Sequence, residues 1–222
     1  MILYLVGVEH ESTRYIQTRG LTKNNLAFIE AIESAMREHS YDLLAEEEQP
    51  ERLIKLGAIS LLQAIHLARN IRHAFVDPNV RERERIGYKE YGKIAGLEDF
   101  KTQVSQPLLQ KNEDCECEIL KIAYAHEIAH QFSIREMFWI EELKKSQANE
   151  ILFVCGDIHL DTFPRLLGNC GIDSKIERRS IGISGSEIEY AAFEFAKQNG
   201  LLSEAGCFCK QPAFQCSLSS GA

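Results

Sequence analysis

Ile2–His10 reads Ile-Leu-Tyr-Leu-Val-Gly-Val-Glu-His, and Ile151–His159 reads Ile-Leu-Phe-Val-Cys-Gly-Asp-Ile-His. Each opens with a short, continuous apolar run, the pattern of a buried strand. Each run leads directly into Gly-x-x-His: Gly7 to His10 in the first, Gly156 to His159 in the second. Between and after them lie helical patterns. Thr22–His39 places Leu26, Ile29, Ile32, Ala35 and Met36 on one stripe. Leu53–Asn70 reads as a second helix and Asp114–Lys145 as a long one. Phe163–Gly171 is a short helix with a glycine stop, and Ser184–Asn199 begins with the capping-box pair Ser184 and Glu187. Further strands are expected at Tyr41–Glu46, Ile71–Val76 and Lys175–Ile181. Arg81–Tyr91 is so charged that it reads as a solvated face or a mobile loop, and Lys93–Gln110 is irregular or weakly helical. Alternating strands and helices give an α/β fold. The expectation is a single domain over 1–200 with a mixed central sheet and flanking helices, then a Cys-containing tail at 201–222.

Composition narrows the function classes. The 222 residues carry 25 Lys+Arg against 33 Asp+Glu, a net charge of −8, which argues against a general nucleic-acid binder with its basic face. No apolar run approaches the roughly 18–20 residues that span a bilayer, and no signal peptide is expected at the N-terminus. Seven cysteines, an odd number unevenly spaced, are a poor disulfide frame and fit a reducing, cytoplasmic setting.

The seven histidines are more informative. Ligands of α/β sheets bind outside the carboxyl ends of strands, and the Gly-x-x-His plan puts His10 and His159 there. With 14 Gly and 7 His, chance alone supplies roughly half such a match, whereas here two occur, both at strand ends. Two neutral imidazoles plus a carboxylate form a ligand set for Zn²⁺, Mn²⁺ or Fe²⁺ with open positions. Glu9 is placed to be a third ligand or a general base.

These motifs resemble the TraB/Tiki family (also GumN and pheromone-shutdown), with a more distant likeness to ChaN and erythromycin-esterase-like proteins. That family carries one Gly-x-x-His at the end of its first strand and another at the end of a late strand. Between them it has an acidic residue at a strand end, followed five positions later by Arg and Leu. Here Glu47 precedes Arg52-Leu53, with Glu46 one residue away. The family also has a helical Arg upstream of the second motif, matched here by Arg135. The Asn or Asp that often follows it is here Glu136. The resemblance implies an α/β fold with both histidines facing one cleft. It also implies metal-dependent hydrolysis in some members. His10 and His159 would hold the metal, Glu9 or Glu47 would assist, and Arg135 would orient a small-molecule or peptide substrate or stabilise an oxyanion.

A second constellation competes. His126-Glu127-Ile128-Ala129-His130 is the HExxH pattern, which on a helix puts two histidines at i and i+4 on one face, able to share a Zn²⁺ with Glu127 as base. A third ligand could come from Glu136, Glu141, Glu142 or Glu150. The Cys115-Glu116-Cys117 and Cys207-Phe208-Cys209 pairs match zinc spacing poorly. Arg81, Arg83 and Arg85 could form a local anion-binding face. Three functions therefore stand as expectations: a metal-dependent peptidase or esterase-like hydrolase at the two Gly-x-x-His motifs, a zincin-like peptidase on the HExxH helix, and a non-enzymatic ligand- or metal-binding protein.

Overall fold

A computed structural model describes residues 1–8, 15–16, 20–110, 116–181 and 187–202, with the backbone alone described at 187–189. The strands are β1 (Ile2–Val8), β2 (Tyr15–Ile16), β3 (Leu43–Glu46), β4 (Ile59–Ser60), β5 (Arg72–Phe75), β6 (Glu150–Gly156) and β7 (Asp173–Ile181). The main sheet has the order β5-β3-β6-β1-β7. It is parallel at every described pairing rather than mixed, and antiparallel pairing is confined to the β2–β4 ribbon. The carboxyl ends of all five main strands therefore share one edge.

Both faces of the sheet are covered, which is why its central strands read as unbroken apolar runs. On one face Tyr4, Val6, Val8, Leu44, Leu152 and Val154 pack against α1 (Lys23–Glu38) and α3 (Leu61–Arg69), through Phe28, Ile32, Leu61 and Leu62. On the other, Leu3, Leu5, Leu43, Ala45, Ile151, Phe153 and Cys155 pack against α9 (Phe132–Lys145) and α10 (Phe163–Asn169). The period of two assigns each strand residue to a face. The chain after β3 runs to α3 on one face, whereas the chain after its neighbour β6 runs to α10 on the other. The crevice beyond β3 and β6 is thus a topological switch point, the place where open α/β sheets bind ligands.

Several elements depart from expectation. The Leu53–Asn70 helix is two: α2 (Pro50–Leu56) and α3, separated by Gly57 at φ 57°, a left-handed C-cap suited to glycine. Ser60 then caps α3 through Gln63 N and also belongs to β4. The charged stretch, expected as a solvated face or a mobile loop, opens as a helix with no fully buried residue: α4 (Val80–Ile86) starts on an Asn79–Glu82 capping box and stops at Gly87. Lys93–Gln110 resolves into α5 (Tyr91–Ala95), α6 (Glu98–Phe100), a π-helical turn at Lys101–Ser105 and α7 (Gln106–Leu109). The long helix is broken at Gln131 into α8 (Glu116–His130) and α9. Neither Pro nor Gly marks that break. It falls where the chain changes partners, since α8 packs on α5 and α11 (Glu187–Gln198) while α9 packs on the sheet. The Ser184 cap, the tail from 203 onwards and Cys115, Cys207, Cys209 and Cys216 lie outside the described residues.

The two Gly-x-x-His segments touch. Val8 pairs with Gly156 and Gly7 with Cys155. The buried Asp157 carboxylate lies against Gly7, so a methyl group there would overlap Asp157 Oδ1 and sit 2.6 Å from Leu160 Cδ1 and 3.0 Å from Asp157 Cα. A methyl at Gly156 meets only ordinary contacts, 3.5 Å to Glu47 Oε2 and 3.7 Å to His159 Cδ2. Gly7→Ala is therefore expected to lose about 1–3 kcal/mol or more in urea melts through overpacking, and Gly156→Ala much less. Equal losses would contradict the contact.

Candidate functional site

β3 ends at Glu46, and the pleat sends the next two carboxylates to opposite faces. Glu46 turns to the α3 side, where its Oε1 accepts from Ser60 Oγ and pairs with His73 Nε2 at 2.8 Å. Glu47 turns to the α9 side. The choice between them, open in the sequence, is made by parity alone.

Glu47 joins a buried charged network. Its Oε2 accepts from Gly156 N at 2.6 Å, tying the ends of β3 and β6 together. Its Oε1 meets Arg135 Nη2 at 2.7 Å. Arg135 Nε donates to Asp77 Oδ1 at 2.6 Å, just beyond β5. Asp77 also accepts from Trp139 Nε1, Gln49 Nε2 and Arg83 Nη2. The guanidinium lies 5.2 Å from the Trp139 ring and 5.7 Å from the Tyr88 ring, both within cation–π range. Burial alone would raise the Asp77 pKa, but the charges of Arg135 and Arg83 outweigh it and hold the carboxyl well below its ordinary range. Burial opposes the Arg135 charge as well, and Asp77 and Glu47 outweigh that, so the guanidinium stays fully charged.

His159 lies beside this network, 2 % exposed. Its ring stacks on Phe132 at 4.1 Å and meets Trp139 edge-on at 4.7 Å. Nδ1 bonds Glu136 Oε1 at 2.9 Å, and Glu136 also takes the Thr162 hydroxyl at 2.5 Å. Phe132, Glu136 and Trp139 are one helical stripe of α9, spaced i, i+4 and i+7, so one helix face fixes the imidazole. Nε2 lies 3.8 Å from Glu47 Oε1. Three residues singled out in the sequence, Glu47, Arg135 and His159, are thus brought together. Glu9 and His10 follow β1 but fall outside the described residues.

Above the network opens a cleft of about 920 Å³. Glu47, Asp77, Arg135, Tyr88 and Glu127 line its depth, and Arg52, Lys55, Arg81 and Tyr91 are among its outer residues. His159 is not on the wall and borders the cleft through Glu47. Of the three arginines that could form an anion face, Arg83 is committed to Asp77, to Glu90 and to the face of Tyr88.

The HExxH residues sit on α8 with His126 and His130 ring centroids 5.7 Å apart. Glu127 faces the cleft, but its carboxylate accepts from the Tyr88 hydroxyl and from Tyr91 N at 2.7 Å. Burial pushes the Glu127 carboxyl pKa up, and these bonds offset part of that. His126 packs edge-on to Phe100, and its Nδ1 has no hydrogen-bond partner among the described residues. Among the described residues no carboxylate completes a three-ligand group with His126 and His130. Asp77, Tyr88 and Trp139 escaped the sequence reading as site residues, and Glu136, expected there only as a third ligand for the HExxH pair, instead holds His159. Asp77 had a signal, being an acid just beyond a strand's carboxyl end, whereas Tyr88 had none.

No protein-family model, no curated protein and no solved structure matches the chain.

Replacing Arg135 with Met removes the cation between two buried carboxylates, leaving Asp77 with Arg83, and is expected to cost about 3–5 kcal/mol of unfolding free energy. Arg135→Lys should recover only part, because an ammonium lacks the fork that spans Asp77 and Glu47. A Met variant as stable as the parent would contradict the bridge. Burial also lowers the pKa of both His126 and His130. Their contribution is therefore full above the unfolded value of about 6.5 and is lost as the pH falls through the depressed folded values. Melting temperature should drop between pH 7.5 and pH 5.5, and His126→Leu/His130→Leu should flatten that slope. An unchanged slope would rule the two histidines out as its source.

Proposed function

We propose that the chain is a metal-dependent hydrolase of peptide or ester bonds, with its reaction centre at the carboxyl ends of β1, β3 and β6. The observation that carries this reading is the convergence of Glu47, Arg135 and His159, from three separate stretches of sequence, on one buried network at the switch point of the sheet.

The donors suit a divalent ion such as Zn²⁺, Mn²⁺ or Fe²⁺. A metal-binding imidazole characteristically gives its other nitrogen to a carboxylate, and Glu136 holds His159 Nδ1 in that way. Glu47 Oε1, 3.8 Å from Nε2, is near enough for both atoms to face one ion at about 2 Å each. His10 or Glu9 would supply the remaining protein ligand. The ion would polarise a substrate carbonyl and lower the pKa of water towards neutrality. The chain's own part is electrostatic and steric. Glu136 fixes the imidazole tautomer, and Arg135, itself paired with Glu47 and Asp77, sets the position and charge balance of Glu47 beside the cleft, where it would orient a substrate. The cleft walls admit a small-molecule or short peptide substrate.

The HExxH reading carries less support, because Glu127, its base, is engaged by Tyr88 and Tyr91. Metal analysis and hydrolysis of a panel of chromogenic esters and peptides test the proposal. The expected result is loss of bound metal and of at least 100-fold in hydrolysis in His10→Ala and His159→Ala, with His130→Ala close to the parent. Full metal content and full hydrolysis in both of the first two variants would overturn it. Metal binding without hydrolysis of any substrate would mark a binding protein instead.

A further inference from the structure

Far from the cleft, the end of α1 meets the middle of the edge strand β7. Glu38 is the last residue of α1, His39 is its C-cap, and Glu177 projects from β7. One ligand atom from each lies within 4.8 Å of the other two, and His39 Nε2 is 3.6 Å from Glu177 Oε1. We propose that Glu38, His39 and Glu177 form a divalent-cation site that clips α1 to the edge of the sheet, independent of the cleft.

Four observations carry this. The ligand set is mixed, one imidazole and two carboxylates, which selects borderline ions of the Zn²⁺, Co²⁺ and Ni²⁺ class over Mg²⁺. The imidazole is held in place, its ring 4.5 Å from Tyr4 and 6.1 Å from Tyr41. The Glu177 side chain is only 11 % exposed, yet among the described residues its carboxylate accepts no hydrogen bond and has one ionic partner, His39. A half-buried carboxylate 3.6 Å from an imidazole nitrogen places two ligand atoms where one cation can bridge them. Finally, the C-terminal end of a helix carries partial negative charge, which adds to that of the two glutamates.

The neighbouring cations do not already fill this role. Arg178 reaches Glu38 at 3.8 Å with both side chains about half exposed, a contact of little strength that a bound ion can displace. Lys175 lies over the Tyr4 ring at 5.4 Å. Glu38 is 53 % and His39 29 % exposed on their side chains, leaving room for water to complete the coordination shell.

Titration of the metal-stripped chain with Co²⁺, followed by visible absorption and calorimetry, tests the site. Wild type is expected to bind one equivalent more than Glu177→Gln and His39→Gln, or to bind that equivalent at least tenfold more tightly, and to gain melting temperature that both variants fail to gain. Glu177→Gln preserves shape and sits at the surface edge, so its result stands even where His39→Gln folds poorly. The readout is a difference between chains. A cleft ion at His159 raises both totals by one and leaves the difference unchanged, so failure of either site is read separately. Identical stoichiometry and affinity in wild type and Glu177→Gln would overturn the proposal.

Discussion

Everything at the cleft depends on one buried guanidinium. Arg135 bridges Asp77 and Glu47 and lies between the faces of Tyr88 and Trp139. Those contacts gather the ends of β3 and β5, the first turns of α9 and the segment after α4. Two carboxylates drawn together out of water repel each other strongly, and only a forked cation between them makes the arrangement stable. Asp77 in turn takes Trp139, Gln49 and Arg83, so the charge is spread over a satisfied set of hydrogen bonds. The rigidity of the site follows from that satisfaction.

The parallel sheet supplies the second constraint. Because side chains alternate in strict period two, the odd residues of β1, β3 and β6 all turn to the α9 face, and the continuation of that parity delivers Gly7, Glu47 and Asp157 there. Gly7 and Asp157 then interlock. The glycine of the first Gly-x-x-His is open because the aspartate of the second occupies the space. Asp157 also accepts from Ser180 N at 2.7 Å and from the hydroxyls of Ser180 and Tyr190, which anchors the end of β7. The two motifs are therefore coupled by packing as well as by likeness.

The helices are where local signals misled and where they were under-used. Gly57 and Ser60 marked the α2–α3 break, and Asn79 with Glu82 marked the start of α4, all by ordinary capping chemistry. The density of charge in Arg81–Tyr91 fits a solvated face as well as a loop, and a short exposed helix tolerates charge on most of its surface. The break at Gln131 had no such marker, because a change of packing partner leaves no trace in local propensity. Glu127 shows the same limit: the spacing of HExxH is local, whereas the hydroxyl of Tyr88 that engages its carboxylate comes from 39 residues away.

Local pattern, then, determined the alternation of strands and helices, the two buried strands leading into Gly-x-x-His, and the position of α1 between Thr22 and His39. These are legible because hydrophobic period and capping act over a few residues. Tertiary structure decided the parallel strand order, the selection of Glu47 over Glu46, the bridging of Arg135 to Asp77, and the Glu136 bond that orients His159. Each of these depends on which faces meet across the sheet, and that is fixed by burying both faces at once, a condition no single segment of the chain contains.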